Sequence, residues 1–212
     1  MNSSSRYLEK RLRYFEEASR LTLDTLELAT SLGSYEKSAN QLETVSPILD
    51  ETESKIANLI PLEASSFYLV NENNNDFEHE RTNPAGMAEF MTSEVEFLID
   101  TGVFAWALTE KRPALVSSRT KNRRFVLHAI ATRSRTRGMF IGLVSEGKRV
   151  SDIRLSLLSI LLLNTAATLE SFHLYGMLRD ERKRLHEMER YRVFFEDASE
   201  AMEIIDVQGM VA

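Results

Sequence analysis

The chain has 212 residues, 43% apolar and 27% charged, with a formal net charge of −6, no cysteine and four histidines. That is enough apolar material for one substantial core within one or two domains, while the missing thiols exclude a disulfide framework, a cysteine nucleophile and thiolate metal sites. The acidic balance disfavours generic nucleic-acid binding, and the polar opening Met1-Asn-Ser-Ser-Ser-Arg-Tyr-Leu-Glu-Lys lacks the apolar run of a secretory signal, so a cytoplasmic protein is expected.

From Arg6 to Leu32, Leu8, Leu12, Phe15, Ala18, Leu21, Leu26 and Ala29 recur at spacings of three and four, apart from the five between Leu21 and Leu26, predicting an amphipathic helix that Gly33 stops. Ser46-Pro47 reads as a cap and first turn for a second helix through Ile48, Leu49, Ile56 and Leu59 to Pro61. Two strands, 64–70 and 76–82, flank the polar tract Asn71-Glu-Asn-Asn-Asn75 and predict a hairpin. After Asn83-Pro84-Ala85-Gly86, helical spacing resumes over 87–100, and Gly102 separates it from a short apolar helix over 103–110. Strands are then expected at 114–117, 125–132 and 139–144, with a turn ending at Gly138 between the last two. From Ser151 to about Arg192 only Gly176 interrupts a helix of about forty residues, far longer than ordinary globular helices. Its greasiest stretch, Leu155 to Leu169, is about fifteen residues and carries Ser156, Ser159, Asn164, Thr165 and Thr168, so it reads as a buried helix rather than a membrane span.

Helices flanking two groups of strands describe an α+β layout with an antiparallel sheet of five to six strands and long helices at both ends. Gly102-Val-Phe-Ala-Trp-Ala-Leu-Thr-Glu-Lys-Arg-Pro-Ala-Leu-Val116 resembles the segment of GAF domains in which a glycine opens a short helix and a basic residue plus proline lead into the third strand. Arg137-Gly-Met-Phe-Ile-Gly142 resembles that family's late hairpin strand, where Gly-x-x-x-Gly lets the sheet bend. Ser151-Asp152 with Leu157-Leu158 and Leu174-Tyr175 resemble the start and exit of its final helix. The resemblance covers about residues 45–176 and implies a sheet order 2-1-5-4-3. Beyond it, Tyr191-Arg-Val-Phe-Phe-Glu-Asp-Ala-Ser-Glu-Ala-Met-Glu-Ile-Ile-Asp206 and Gly209 resemble the opening of a PAS domain: a short helix, then a strand into a turn. The expected organisation is thus an N-terminal helical segment (1–44), a GAF-like sensor domain (45–172), a coiled-coil signalling helix (173–192) and the truncated start of a PAS domain (193–212).

Catalysis finds no residues to carry it, and the chain is expected not to be an enzyme. GAF relatives that reduce methionine sulfoxide or attach bilins do so through cysteines, which are missing here. Asn122-Arg-Arg-Phe125 is not followed by the Asp-Glu that a cyclic-nucleotide site would need. His79 and His128 have no second ligand at chelating spacing, so no metal is expected, and His186-Glu187 lacks the proline and apolar residues of a phosphoacceptor box. No cofactor is identified. A pocket for an unknown small-molecule ligand is expected between sheet and helices, lined by Tyr68, Phe97, Phe104, Trp106, His128 and Met139, although core packing explains the same residues. Trp106 in particular is expected inside the domain. Arg133, Arg135 and Arg137 form a candidate anion site in a stretch free of acids from Ser117 to Ser145; the favoured reading is a solvated hairpin tip.

A single heptad register runs through Leu157, Ile160, Asn164, Ala167, Ser171, Leu174, Leu178, Glu181, Leu185, Met188, Arg192 and Phe195. Before Ser171 this stripe can be covered by its own domain. Leu174, Leu178, Leu185 and Met188 lie beyond it and predict a homodimer through a parallel partner helix. The expected function is a sensory input domain that passes a ligand- or partner-induced change through this helix to a PAS domain and an output module, a histidine kinase or a GGDEF diguanylate cyclase. The alternative is a dimerisation and interaction scaffold without a ligand.

Overall fold

The computed structural model describes residues 44–110, 112–120 and 122–208, with side chains through Glu196. The helix expected over 6–32, with Gly33, lies outside the described residues, as does Gly209. The chain divides into two compact units, the first ending at Ser171 and the second beginning at Phe172.

In the first unit, α1 (Ser46–Leu59) buries Ile48, Leu49, Thr52, Ile56 and Leu59 along one stripe. Pro47 sits in its first turn, where a missing amide costs nothing. Ser46, expected as the cap, is instead the first helical residue; Val45 precedes it and supplies no side-chain bond. Strands β1 (Leu62–Val70) and β2 (Phe77–Asn83) follow, then a short 3₁₀ turn (Ala85–Met87), α2 (Ala88–Asp100) and α3 (Val103–Thr109). Gly102 joins the two helices at φ 74°, the left-handed conformation that glycine adopts without a Cβ penalty. Strands β3 (Ala114–Ser117), β4 (Arg124–Ala131) and β5 (Thr136–Val144) complete one sheet in the order β2-β1-β5-β4-β3. All four pairings are antiparallel. The sheet therefore has five strands, in the order that the resemblance implies.

The last hairpin differs from expectation, because β5 begins at Thr136 and takes Gly138 into the strand rather than into a turn. A Cβ at Gly138 would collide with the carbonyl oxygen of Tyr68 on β1, so glycine permits close strand approach there.

Strand alternation divides the core into two layers. Ala64, Tyr68, Phe125, Leu127, Met139, Ile141 and Leu143 pack with Met91, Val95 and Leu98 of α2 and Phe104 and Ala107 of α3. The intervening residues Phe67, Val126, His128, Ile130 and Phe140 are buried on the opposite face. That face meets α1 and the final helix: Ser65 bonds Glu53 of α1 (2.6 Å), and His128 bonds Ser159 (3.0 Å).

Helix α4 spans Asp152–Gln208. Within the first unit it buries Leu157, Leu158, Leu161, Leu162, Ala166 and Leu169, and Thr165 bonds Thr52 of α1 at 2.9 Å. The stretch is long and apolar enough by composition to cross a membrane, yet these leucines serve as the inner face of a core helix. The heptad seam and this core face are not the same surface. Leu157 is buried, whereas Ile160 is 45% exposed and Ala167 is also exposed, so the domain covers only part of the stripe before Ser171.

Residues 202–206, expected as a strand, are helical and continue α4 to Gln208. A strand needs neighbouring strands to satisfy its amides, whereas a helix satisfies them within the segment.

Candidate functional site

The six residues expected to line one pocket occupy four different environments. Tyr68, Phe104 and Met139 come together in the α2–α3 layer. The Phe104 ring meets Tyr68 edge-on at 6.4 Å and Phe77 at 5.2 Å. Tyr68 also faces the ring of His79 at 5.3 Å. Burial pushes the Tyr68 hydroxyl above its usual range; a hydrogen bond with Thr92 opposes this, and the negative charge of Glu96 adds to it.

Phe97 is half-buried at the flank of α2, outside the stripe Met91, Glu94, Val95 and Leu98. Trp106, expected inside the domain, is 48% exposed. The correction follows from helix geometry: at about 100° per residue, Phe104 and Ala107 share the sheet-facing side of α3, and Trp106 lies about 160° from Phe104 around the helix.

His128 is likewise removed from the proposed lining. It neighbours Ala129, whose side falls to the α2–α3 layer with Met139, and therefore lies on the other face of β4. Its Nδ1 is 2.6 Å from the Ala129 carbonyl oxygen, which can only accept, so Nδ1 carries the proton and Nε2 accepts from the Ser159 hydroxyl of α4. Burial lowers its pKa below 6.5, with the Ala129 bond opposing. It is a neutral tie between sheet and helix.

The three arginines also separate. Arg133 is exposed at the hairpin between β4 and β5, whereas Arg135 donates to Glu72 at 2.6 Å. Arg137, expected at a solvated tip, is only 6% exposed. Ile130 pairs with Gly138 and Ala131 with Thr136, leaving Arg137 as the extra residue of a β-bulge. Bulges redirect side chains out of the simple alternation. Arg137 pairs with Glu72 of the β1–β2 loop through one guanidinium nitrogen, and its other terminal nitrogen lies 3.7 Å from Glu170 of α4. Its charge is thus committed to protein carboxylates, which disfavours an external anion at this position.

Glu94 is a buried carboxylate that does not figure among the sequence candidates. It is 3% exposed, and its carboxylate accepts the Arg119 amide at 3.0 Å, fastening the β3–β4 loop to α2. The signal was present in the spacing, because an acid at i+3 from Met91 and directly before Val95 falls on the apolar stripe. Next to it, Arg123 lies over the Phe90 ring at 5.6 Å and pairs with Glu63 at 3.2 Å. His79 bonds Thr82 at 2.8 Å. Among the described residues no three His, Asp or Glu side chains converge as a metal site.

Leu174, Leu178, Leu185 and Met188 are all exposed on α4 in the second unit, together with Met177, Tyr191, Phe194 and Phe195. The same segment carries the i,i+3 pair Glu181–Arg184 at 3.3 Å.

No protein-family model matches the sequence, and no curated relative does. By structure, the chain is similar to the GAF domain of a Pseudomonas syringae pv. tomato protein described as a sensor histidine kinase (TM-score 0.52, 14% identity, covering 77% of this chain and 99% of the other). It is also similar to the GAF domain of a phosphoenolpyruvate-protein phosphotransferase from Coxiella burnetii (TM-score 0.51, 12% identity, 72% and 98% covered). A third similar structure is the GAF domain of a two-component sensor histidine kinase from Bacillus halodurans (TM-score 0.50, 15% identity, 64% and 99% covered). The sheet order, the flanking helices and these likenesses together give the first unit a GAF-like α+β fold.

Proposed function

We propose that the chain is a GAF-type sensory or regulatory input module that acts as a homodimer through α4. The observation that carries this reading is the row of exposed apolar side chains Leu174, Leu178, Leu185 and Met188 in the same helix whose earlier leucines build the domain core. Each large apolar side chain left in water forgoes about 1.5 to 3 kcal/mol of burial, and a second copy of the helix in parallel offers the same stripe in the same register. Within the first unit, Ile160 and Ala167 are exposed at equivalent heptad positions of the same helix.

In this reading a ligand or partner acting on the domain biases two packings of the paired helices, and the helices carry the bias to downstream domains of the same protein. A PAS domain followed by a histidine kinase is the downstream arrangement that the sequence resemblance of residues 193–212 and the histidine-kinase source of two similar structures favour, with a diguanylate cyclase as the other output. The Tyr68, Phe104 and Met139 layer is the place for a small ligand. A scaffold that dimerises without a ligand is the second reading, favoured by the direct ring contacts that Tyr68, Phe77 and Phe104 already make with one another.

Light scattering of the 212-residue chain tests the dimer. Twice the chain mass is expected, and a monomer at tens of micromolar with the helix intact by circular dichroism removes the proposed mechanism. Native mass spectrometry separates the two readings: a retained small molecule favours the sensor, and the bare chain mass favours the scaffold.

A further inference from the structure

One end of the sheet gathers a charged cluster that the ligand and dimer readings do not use. Glu72 comes from the β1–β2 loop; Thr132, Arg135 and Arg137 come from the β4–β5 hairpin; Glu170 comes from α4, one residue before the first unit ends at Ser171. Arg137 reaches Glu72 through Nη1, and Arg135 reaches the other Glu72 oxygen at 2.6 Å. The Glu170 carboxylate is shared: Oε2 accepts the Thr132 hydroxyl at 3.0 Å, and Oε1 stands 3.7 Å from Arg137 Nη2.

Three features separate this cluster from ordinary surface ion pairs, which contribute little. Arg137 is buried, so its charge depends on these partners. Its Nε is buried with no hydrogen-bond partner among the described residues, leaving donor capacity unused. The Glu170 contact, at 3.7 Å, is an ion pair short of a hydrogen bond, so a small displacement of α4 or of either loop would make or break it. The bulge at Arg137 aims the guanidinium into this junction instead of leaving it in the strand's regular alternation.

We infer that Arg137 and Glu170 form a latch through which the position of the β1–β2 and β4–β5 loops is set against the last helical turn of the domain. The inference deepens the proposed function, because Glu170 lies directly before the helix segment assigned to transmission. Glu72 fixes the guanidinium, Thr132 fixes the carboxylate, and the Arg137–Glu170 contact is the adjustable joint. A shift of the β1–β2 loop, carried through Glu72, moves Arg137 relative to the Glu170 that Thr132 holds, and the helix follows or releases.

Hydrogen exchange read by mass spectrometry on the full 212-residue chain tests this. In Glu170→Gln, which keeps the shape and the Thr132 partner but removes the charge, exchange is expected to quicken about fivefold in residues 71–76, 132–136 and 166–180. Residues of α2, α3 and β3 keep wild-type rates. Arg137→Lys, which retains charge but loses the two-armed geometry, gives the same pattern, and Arg133→Ser does not. A change confined to residues 168–172, or no change, overturns the latch. A uniform increase throughout the domain also overturns it, since the pair would then be a general stabiliser. Light scattering of the same samples keeps the two proposals apart: a monomeric wild type removes the dimer and leaves the exchange pattern to decide the latch, while a dimer without the pattern removes the latch alone.

Discussion

Two stretches of α4 share one heptad register and have opposite fates. Leu158 and Leu162 are fully buried within the first unit, whereas Leu178 is 66% and Leu185 57% exposed in the second. The heptad register runs through both stretches without a break. The surroundings differ: the first stretch has a sheet face and α1 beside it, marked by the His128–Ser159 and Thr52–Thr165 bonds, whereas Leu178 and Leu185 lie exposed in a charge-rich segment. Apolar spacing therefore specifies that a helix face needs cover and does not specify what covers it.

The sharpest way to break this comparison is to remove a leucine from each stretch. Leu162→Ala should lower unfolding stability by about 2 to 5 kcal/mol, since a buried site loses both transfer energy and packing. Chemical denaturation measures it, and a loss under about 1 kcal/mol would show that the first stretch is not core.

A double change in the second stretch comes next. Leu178→Glu with Leu185→Glu should abolish dimerisation in light scattering while leaving the thermal transition of the domain in place, because neither side chain is buried within the chain. Retention of the dimer would assign self-association to another surface.

A pH measurement sharpens the contrast from the buried side. Because His128 has a folded pKa lowered by burial, the unfolded chain binds its proton more readily. Its contribution to stability is present above the unfolded value of 6.5 and is lost as pH falls from there through the depressed folded pKa. His128→Gln should flatten that part of the stability profile relative to wild type; equal slopes would mean that His128 stays accessible to solvent.

The smallest effect concerns Trp106. Half exposed on α3, it should emit at long wavelength and be quenched by iodide in the folded protein, and its emission should stay unchanged when the Leu178 and Leu185 double variant dissociates. A blue-shifted, protected spectrum would return the indole to the interior.

Much of the architecture was legible because it rests on local rules. Alternation in 64–70, helical spacing over 87–100 and the glycine break at Gly102 each leave a mark in consecutive residues, and β1, α2 and α3 lie where those marks predict. The candidate site was less legible. Tyr68, Phe104 and Met139 converge as their residue types imply, while Trp106 fails because a seven-residue helix with apolar residues all around does not announce which side meets the sheet. His128 fails because both faces of β4 are buried, so polarity gives no phase to the strand.

By itself, then, the sequence determined an α+β chain with a long final helix, because hydrophobic period and turn chemistry act over a few residues. Only the tertiary structure decided that Arg137 is an interior residue. Its burial depends on a one-residue bulge against β4 and on carboxylates 65 and 33 positions away in the chain, at Glu72 and Glu170. The same holds for Ile160, which shares a heptad seam with buried Leu157 yet faces solvent, since the angle at which a helix settles on a sheet is set by the whole packed layer rather than by its own spacing.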